Sequence, residues 1–347
     1  MSKDYILDYE LDDLEKLMIS MDEAGFRAKQ IFSWLYKGID SFDEMINIPK
    51  ELRKKLSDVF DVRQIKPIRV QTSKLDGTRK YLFQLEDGNA IESVFMKYKY
   101  GNSICVSSQA GCRMGCRFCA STMDGLARNL SAGEIVSQIL QAERDTGERI
   151  SHVVVMGTGE PFDNYENVAK FIRIINSKEA LNIGMRNITV STCGIVPIID
   201  AFGRDFPQVN LAISLHAATD EKRSELMPVN KAYPLDILID ACKKYVKDTS
   251  RRITFEYTLV SGQNDSISDA KTLANLLKGI LCHVNLIPLN VVRERKYDSS
   301  NKETVYAFQR TLEERGIPVT IRRELGDDID GACGQLRLKS KDADKAE

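Results

Sequence analysis

The chain has 347 residues, of which 43% are hydrophobic and 29% charged, a composition that is typical of a globular protein of about two domains and excludes disordered, collagen-like and fibrous proteins. No apolar run reaches the roughly 18 residues that a membrane-spanning helix needs, and the acidic N-terminus has no signal segment, so we expect a cytoplasmic protein that does not bind membranes. With a formal net charge of −1, the chain has no overall positive charge that would by itself indicate nucleic-acid binding.

Residues 1–60 are predicted to form a small helical domain. Apolar residues recur with the period of an α-helix at Leu14, Leu17, Met18 and Met21. Gly25 and Pro49 interrupt this pattern, so the segment should contain several short helices rather than one long helix.

Residues 61–100 are predicted to form a β-hairpin extension. Asp-Gly pairs at 76–77 and 87–88 are favoured turn sequences, and the runs YLFQL and IESVFM beside them are rich in strand-forming residues. We therefore expect a small antiparallel element between the helical domain and the rest of the chain.

Residues 101–338 alternate predicted strands with predicted amphipathic helices, and residues 339–347 are interpreted as a tail. Ser131 and Glu134 form a capping box, which marks the start of one helix. Such alternation implies a parallel sheet, and about six repeats predict an α/β fold with a partial (βα)6 barrel of the TIM type. The predicted strands are SICVSS, HVVVM, NITVST, VNLAIS, ITFEYTLV, HVNLIPL and VTIRR.

The eight cysteines carry most of the chemical information. Stable disulfides are rare in a reducing cytoplasm, so grouped cysteines indicate metal or redox chemistry. Three isolated cysteines within apolar stretches are interpreted as core residues, namely Cys193, Cys242 and Cys282. The segment GCRMGCRFCA, with C-x3-C-x2-C spacing, groups Cys112, Cys116 and Cys119.

This cysteine triplet favours an iron–sulfur centre over a structural zinc site. A zinc site would want a fourth ligand, but the sequence has no second cysteine pair and its three histidines are scattered. Three thiolates on a 4Fe–4S cluster would leave one iron open to a substrate. Zinc with a distant fourth ligand stays open as the alternative.

The triplet, with Phe118 just before its last cysteine, resembles the radical S-adenosylmethionine (SAM) superfamily. The resemblance implies that the open iron binds SAM, whose reductive cleavage gives a 5′-deoxyadenosyl radical. The segment 157–161 resembles the glycine-rich SAM loop of the superfamily, although Thr158 stands where methionine is common. A single polar residue at the end of a strand is more often a turn residue than a ligand-binding residue. Several such residues at the same edge of a barrel favour a binding site, because the active sites of barrel enzymes lie at the carboxyl ends of the strands. The implied SAM contacts are Gly159, Glu160, Ser191, Ser214, Leu215, His216 and Asn290.

Four further segments point to one family within this superfamily, namely FRAKQI, IESVFMKYKYGNSICVSSQAGC, LMPVN and DIDGACGQL. With them, nearly the whole chain resembles the bacterial dual-specificity RNA methyltransferases. That family methylates C2 of adenine in 23S rRNA, at the peptidyl-transferase centre, and in tRNA, 3′ of the anticodon. The resemblance implies 23S rRNA and tRNA as partners, two SAM molecules per turnover, an external electron donor of the flavodoxin type, and a monomer.

The same resemblance implies roles for three residues outside the triplet. Adenine C2 is electron-poor and will not attack the methyl group of SAM, whereas a carbon radical can add to it. Cys333, as thiolate, is implied to take a methyl group from SAM by displacement and, after loss of a hydrogen atom, to bond to C2. Glu92 is implied to remove the C2 proton. Cys105 is implied to attack the sulfur of Cys333, which releases the RNA and leaves a transient disulfide.

Other interpretations stay open at this point. A sister enzyme that methylates C8 of the same rRNA adenine, and gives antibiotic resistance, would share every cysteine named above. A non-catalytic, zinc-dependent RNA-binding protein is the alternative from another class. Without the resemblance, Glu92 would be interpreted as a surface charge. The helical domain and the extension are implied to dock RNA through their basic clusters, although such clusters are commonly solvated faces.

Overall fold

The structure, a computed structural model, describes residues 3–62, 64–290, 295–323 and 325–329. The β-strands in these ranges are β1 (Asp4–Tyr5), β2 (Phe60–Asp61), β3 (Lys66–Thr72), β4 (Arg79–Gln84), β5 (Ala90–Tyr98), β6 (Gly101–Val106), β7 (Gln109–Gly111), β8 (Leu126–Asn129), β9 (His152–Val155), β10 (Ile188–Thr192), β11 (Asn210–Ser214), β12 (Ile253–Leu259), β13 (Cys282–Pro288) and β14 (Val319–Ile321). The α-helices are α1 (Leu11–Ser20), α2 (Phe26–Leu35), α3 (Lys50–Val59), α4 (Ala132–Thr146), α5 (Tyr165–Asn176), α6 (Val196–Asp205), α7 (Asp220–Leu226), α8 (Leu235–Thr249), α9 (Ile267–Leu276) and α10 (Lys302–Glu313).

Ten of the strands form one mixed sheet in the order β14-β13-β12-β11-β10-β9-β6-β5-β4-β3. The strands from β6 to β14 within this sheet pair in parallel. Parallel neighbours need a crossover connection, and α4 to α10 provide helices for all six crossovers. The prediction of an α/β fold with six strand–helix units is therefore confirmed, and β14 adds a seventh parallel strand.

The extension continues this sheet instead of standing apart from it. Strands β3, β4 and β5 pair antiparallel, and β5 pairs antiparallel with β6. The two predicted Asp-Gly turns are confirmed between β3 and β4 and between β4 and β5. Because β5 pairs with β6, the extension lies directly beside the first parallel strands of the barrel.

The N-terminal helices pack on the outside of the barrel. Gly25 and Pro49 precede α2 and α3, as predicted, while Leu14 and Met18 are buried in the main core. The carboxylate of Asp8 accepts a hydrogen bond of 2.7 Å from the backbone N–H of Gly133 at the start of α4. These contacts fix the helical domain against α4.

The predicted capping box at the start of α4 is confirmed. The Ser131 side chain accepts from the backbone N–H of Glu134, and the carboxylate of Glu134 accepts from the backbone N–H of Ser131. This box starts the helix that follows the cysteine loop. In the part of the chain that the structure describes, no helix is both long and apolar enough to cross a membrane.

Candidate active site

The cysteine loop lies between β7 and β8, which pair antiparallel and close its base. The backbone N–H of Cys112 donates a hydrogen bond of 2.8 Å to the carbonyl of Gly125. Gly111 has a φ of +78°, and a Cβ atom there would lie 2.1 Å from the Gly125 carbonyl oxygen. Only glycine lets the two ends of the loop approach this closely, so the loop geometry depends on Gly111.

A cavity opens at the carboxyl ends of the parallel strands, where the active sites of barrel enzymes lie. All three triplet cysteines line it, and so do six of the seven predicted SAM contacts: Gly159, Glu160, Ser191, Ser214, His216 and Asn290. The seventh, Leu215, is fully buried in the main core instead. The cysteine loop and the strand ends therefore form one site.

The glycine-rich loop after β9 is held by backbone contacts to the chain after β6. The carbonyl of Thr158 accepts hydrogen bonds of 2.9 and 3.1 Å from the backbone N–H groups of Ser108 and Gln109. Gly159 has a φ of +116°, and a Cβ atom there would lie 2.7 Å from the Gln109 side chain. Because the Thr158 backbone makes these bonds, the loop does not need methionine at this position to hold its shape.

Glu160 joins two walls of the cavity through its buried carboxylate. Its oxygens accept hydrogen bonds from the backbone N–H groups of Phe162 (3.0 Å) and Cys193 (2.8 Å). Burial raises the pKa of Glu160, although these hydrogen bonds act in the opposite direction. Cys193 is buried in an apolar cluster, as predicted, and it also lines the cavity, whereas Cys242 and Cys282 lie in the main core.

His216 is held as a neutral imidazole at the edge of the cavity. Its Nδ1 accepts a hydrogen bond of 2.9 Å from the backbone N–H of Thr258, and its carbonyl accepts one of 2.6 Å from the side chain of Asn264. The ring packs edge-on against Phe118, with centroids 5.0 Å apart. Burial lowers the pKa of His216 to about 3, so the ring can donate a proton from Nε2 without carrying charge.

The triplet fits an iron–sulfur cluster better than a single zinc ion. Among the described residues, no group of three or more His, Cys, Asp or Glu side chains converges on a position for one metal ion, whereas zinc needs its sulfur ligands at about 2.3 Å from one point. A 4Fe–4S cluster spreads its thiolates over separate irons. Burial raises the pKa of Cys112 to about 12 and that of Cys116 well above its ordinary value. Such thiols ionise only beside a strong positive charge, which bound iron supplies.

Glu92 and Cys105 lie on the same face of the sheet, since Cys105 pairs with Val94, two residues after Glu92. Glu92 is buried on β5 and forms an ion pair with Lys80, so its interpretation as a surface charge is excluded. Cys105, on β6, is buried in a small apolar cluster with Leu325 and Met156, and Met156 lines the cavity. Cys333 lies outside the described residues.

Arg223, on α7, is a buried site residue that sequence reasoning missed. Its guanidinium donates hydrogen bonds to the carbonyls of Cys193 (2.7 Å) and Leu215 (3.1 Å) and to Oδ1 of Asn230 (2.9 Å). It thereby ties together the chain segments that follow β10 and β11. Five of the seven residues of α7, DEKRSEL, are charged, as is typical of a surface helix, so the sequence carried no signal for this role.

Two further charged residues of the site were also missed. Glu256 lines the cavity from β12 and accepts a hydrogen bond of 2.8 Å from the side chain of Asn285; its position within the apolar run ITFEYTLV was the available signal. Arg295 donates to the carbonyl of Cys119 (3.2 Å) and to Oγ1 of Thr122 (3.0 Å). The chain after β13 therefore contacts the cysteine loop directly.

Comparisons with known proteins agree with this geometry. A family model described as the radical SAM superfamily matches residues 106–275, and one described as the ribosomal RNA large subunit methyltransferase N-terminal domain matches residues 5–62. The chain is 55% identical over 332 residues, 96% of both chains, to "Probable dual-specificity RNA methyltransferase RlmN" of Clostridium botulinum (strain Eklund 17B / Type B). It is 53% identical over 330 residues to the protein of the same name in Clostridioides difficile (strain 630), with 95% of this chain and 96% of the relative covered.

A solved structure shows the same architecture. The crystal structure of a radical SAM methyltransferase from Sphaerobacter thermophilus matches with a TM-score of 0.92 and 45% sequence identity. The match covers 96% of this chain and 99% of that one, so it includes the N-terminal helices and the extension as well as the barrel.

Proposed function

The chain belongs to the radical SAM superfamily and, within it, to the family of dual-specificity RNA methyltransferases, and from this premise we propose that it methylates C2 of adenine in 23S rRNA and in tRNA. At the coarser level it is a radical SAM RNA methyltransferase, a class that uses SAM and a 4Fe–4S cluster. One observation carries the proposal: the cysteine loop, the glycine-rich loop and the polar strand ends line a single cavity.

In this proposal, Cys112, Cys116 and Cys119 hold three irons of the cluster and leave the fourth for SAM. When bound, the cluster and SAM supply one-electron cleavage of a carbon–sulfur bond and hence a carbon radical. Two SAM molecules serve each turnover, one as methyl donor and one as radical source. The residues that orient SAM are Gly159, Glu160, Ser191, Ser214, His216 and Asn290, with Leu215 contributing through its backbone.

Cys333 is the proposed methyl carrier. Its thiolate forms a bond to the methyl carbon as the bond from that carbon to the sulfur of SAM breaks. After this methyl group has given one hydrogen atom to the carbon radical derived from the second SAM, the methylene carbon bonds to C2 of adenine, and Glu92 accepts the C2 proton. Cys105 then forms a disulfide with Cys333 as the carbon–sulfur bond to the RNA breaks. The released carbon takes up a proton, which completes the methyl group, and the one surplus electron passes to the proposed external electron carrier.

The described end of the chain supports a meeting of Cys105 and Cys333. Leu325 packs against Cys105 in the apolar cluster on the inner face of the sheet. The described residues end at Ile329, four residues before Cys333. The packing of Leu325, eight residues before Cys333, with Cys105 is the observation that supports this meeting.

The helical domain and the extension are the proposed RNA-docking parts, because the target adenine must leave its stack to enter the cavity. We propose domain boundaries at 1–60, 61–100 and 101–338, with 339–347 as a tail. An external electron carrier of the flavodoxin type, a monomeric state and a cytoplasmic location complete the proposal.

The segments DNYENV, CRMGCRFCAS and RRITFEYTLVSG support C2 over C8 as the methylated position. The test is methyl transfer from labelled SAM to 23S rRNA and tRNA by anaerobically prepared, reduced enzyme, followed by nucleoside analysis. We expect 2-methyladenosine in both RNAs. Formation of 8-methyladenosine would identify the C8 enzyme instead, and colourless, zinc-loaded protein without transferase activity would identify the RNA-binding alternative.

A further inference from the structure

Lys80 and Glu92 form an ion pair inside the protein. The Nζ atom of Lys80 lies 2.9 Å from Oε1 of Glu92, and the two side chains are only 6% and 7% exposed. Lys80 stands on β4 directly opposite Val94 of β5, and Val94 stands directly opposite Cys105 of β6. Glu92 precedes Val94 by two residues and therefore shares its face of the sheet. Lys80, Glu92 and Cys105 thus lie on one face.

An apolar cluster lies next to this pair on the same face of the sheet. Val94 and Cys105 belong to a cluster that also contains Met96 and Leu325. Lysine is almost never buried unless it is paired, and removing two charges from water costs several kcal/mol per ion. Well-packed hydrophobic residues often stabilise a protein as well as such a pair does. The burial of the Lys80 ammonium is therefore better explained by its effect on Glu92 than by a contribution to the stability of the fold.

We propose that Lys80 is the positioning residue of Glu92, holding its carboxylate in place on the face of the sheet that also carries Cys105. This inference rests on the proposed role of Glu92 as the base. An ammonium 2.9 Å from one carboxylate oxygen fixes the orientation of the Glu92 side chain and, like any nearby cation, favours the charged form of a carboxyl, which is the form that can accept the C2 proton.

The step itself balances without any change at Lys80. The bond between C2 and its hydrogen breaks, the electron pair stays on the ring, and the proton forms an O–H bond on Glu92. Lys80 keeps its three protons and its charge throughout. Its contribution falls after the carbon–carbon bond has formed, since methyl transfer to Cys333 and addition to C2 do not need a base.

The test compares Lys80→Met, Lys80→Gln, Lys80→Arg and Glu92→Gln in single-turnover reactions with RNA. Three quantities are measured: methyl on Cys333 by peptide mass, RNA–protein adduct on a denaturing gel, and released 2-methyladenosine. Glu92→Gln should form the methyl-cysteine and the adduct but lose product at least about 100-fold, the usual contribution of a general base. Lys80→Met and Lys80→Gln should show the same pattern with a loss of at least tenfold, and Lys80→Arg should recover most of the product.

Lys244→Met serves as the matched control, because Lys244 forms an exposed ion pair with Asp200 on the outer helices; it should behave like the wild type. The double variant Lys80→Met with Glu92→Gln should release no less product than Glu92→Gln alone, since Lys80 acts through Glu92. Additive losses, or normal product release by both Lys80→Met and Lys80→Gln, would overturn the inference. If Glu92→Gln itself releases product normally, the proposed base is wrong and not only its partner.

Discussion

The carboxylate of Glu160 accepts a hydrogen bond of 2.8 Å from the backbone N–H of Cys193, and this bond joins the loop after β9 to the chain after β10. The other oxygen accepts the backbone N–H of Phe162 at 3.0 Å. One buried side chain thereby fixes two adjacent walls of the cavity in which we propose that SAM binds.

Replacing Glu160 with Gln should weaken both the fold and the binding of SAM. Glutamine has one acceptor oxygen, so one buried N–H loses its partner at a cost of about 1–3 kcal/mol. We expect a fall of that size in the free energy of unfolding and roughly tenfold weaker SAM binding, measured by denaturant unfolding and by ligand titration of the cluster-loaded enzyme. Glu166→Gln, at an exposed position on α5, is the control, and unchanged SAM affinity in Glu160→Gln would contradict the account.

Replacing any one of Cys112, Cys116 and Cys119 with Ala should abolish the visible iron–sulfur absorption and the reductive cleavage of SAM. Each thiol holds a separate iron in our account, so none can substitute for another. Cys193→Ala is the matched control: this cysteine lines the same cavity, yet it should leave iron content and absorption unchanged. A triplet variant that keeps a full 4Fe–4S complement would refute the ligand assignment, as would loss of the cluster in Cys193→Ala alone.

Replacing Cys105 with Ala should trap the RNA on the enzyme. Adduct formation needs Cys333 and the radical, whereas release needs a second thiol to attack the sulfur of Cys333. We expect a covalent RNA–protein species that survives denaturation and disappears when Cys333 is also replaced. If Cys105 were merely a buried strand residue, the variant would lose stability but release methylated RNA, and a gel without a trapped species would show it.

His216 should make the fold sensitive to acid. The pKa of this ring falls from 6.5 to about 3 on burial, so between these values the unfolded chain binds a proton that the folded chain does not. The free energy of unfolding therefore rises with pH across this window by up to about 1.4 kcal/mol per pH unit, and the contribution of His216 is fully present above pH 6.5. His216→Asn retains an acceptor and tolerates the positive φ of this position, and its unfolding free energy should fall less between pH 7 and pH 5. Parallel pH dependences for the two proteins would show that His216 is not the group involved.

Local sequence patterns were sufficient for much of the fold and of the site. The capping box of Ser131 and Glu134 and the Asp-Gly turns depend on neighbouring residues, and strand ends of a parallel sheet meet at one edge; both kinds of prediction are confirmed. Leu215 follows the last residue of β11, and its side chain lies in the main core while its neighbours Ser214 and His216 line the cavity.

Other features depend on tertiary contacts that no local pattern records. Arg223 lies in a helix of mostly charged residues, so its complete burial follows only from the way α7 packs on the strand ends. Lys80 looked like one member of a basic surface cluster, but the antiparallel register of β4 and β5 places it diagonally from Glu92. A sequence shows which charges exist, whereas the fold decides which of them are removed from water.

The most direct test of the central claim uses SAM whose methyl group carries three deuterium atoms. If the methyl group reaches adenine C2 through a methylene radical on Cys333, one deuterium is lost before the carbon–carbon bond forms and is replaced by hydrogen afterwards. The mass spectrum of the nucleosides should then show 2-methyladenosine with two deuterium atoms in its methyl group. A product that retains all three would mean direct transfer of an intact methyl group and would contradict the account.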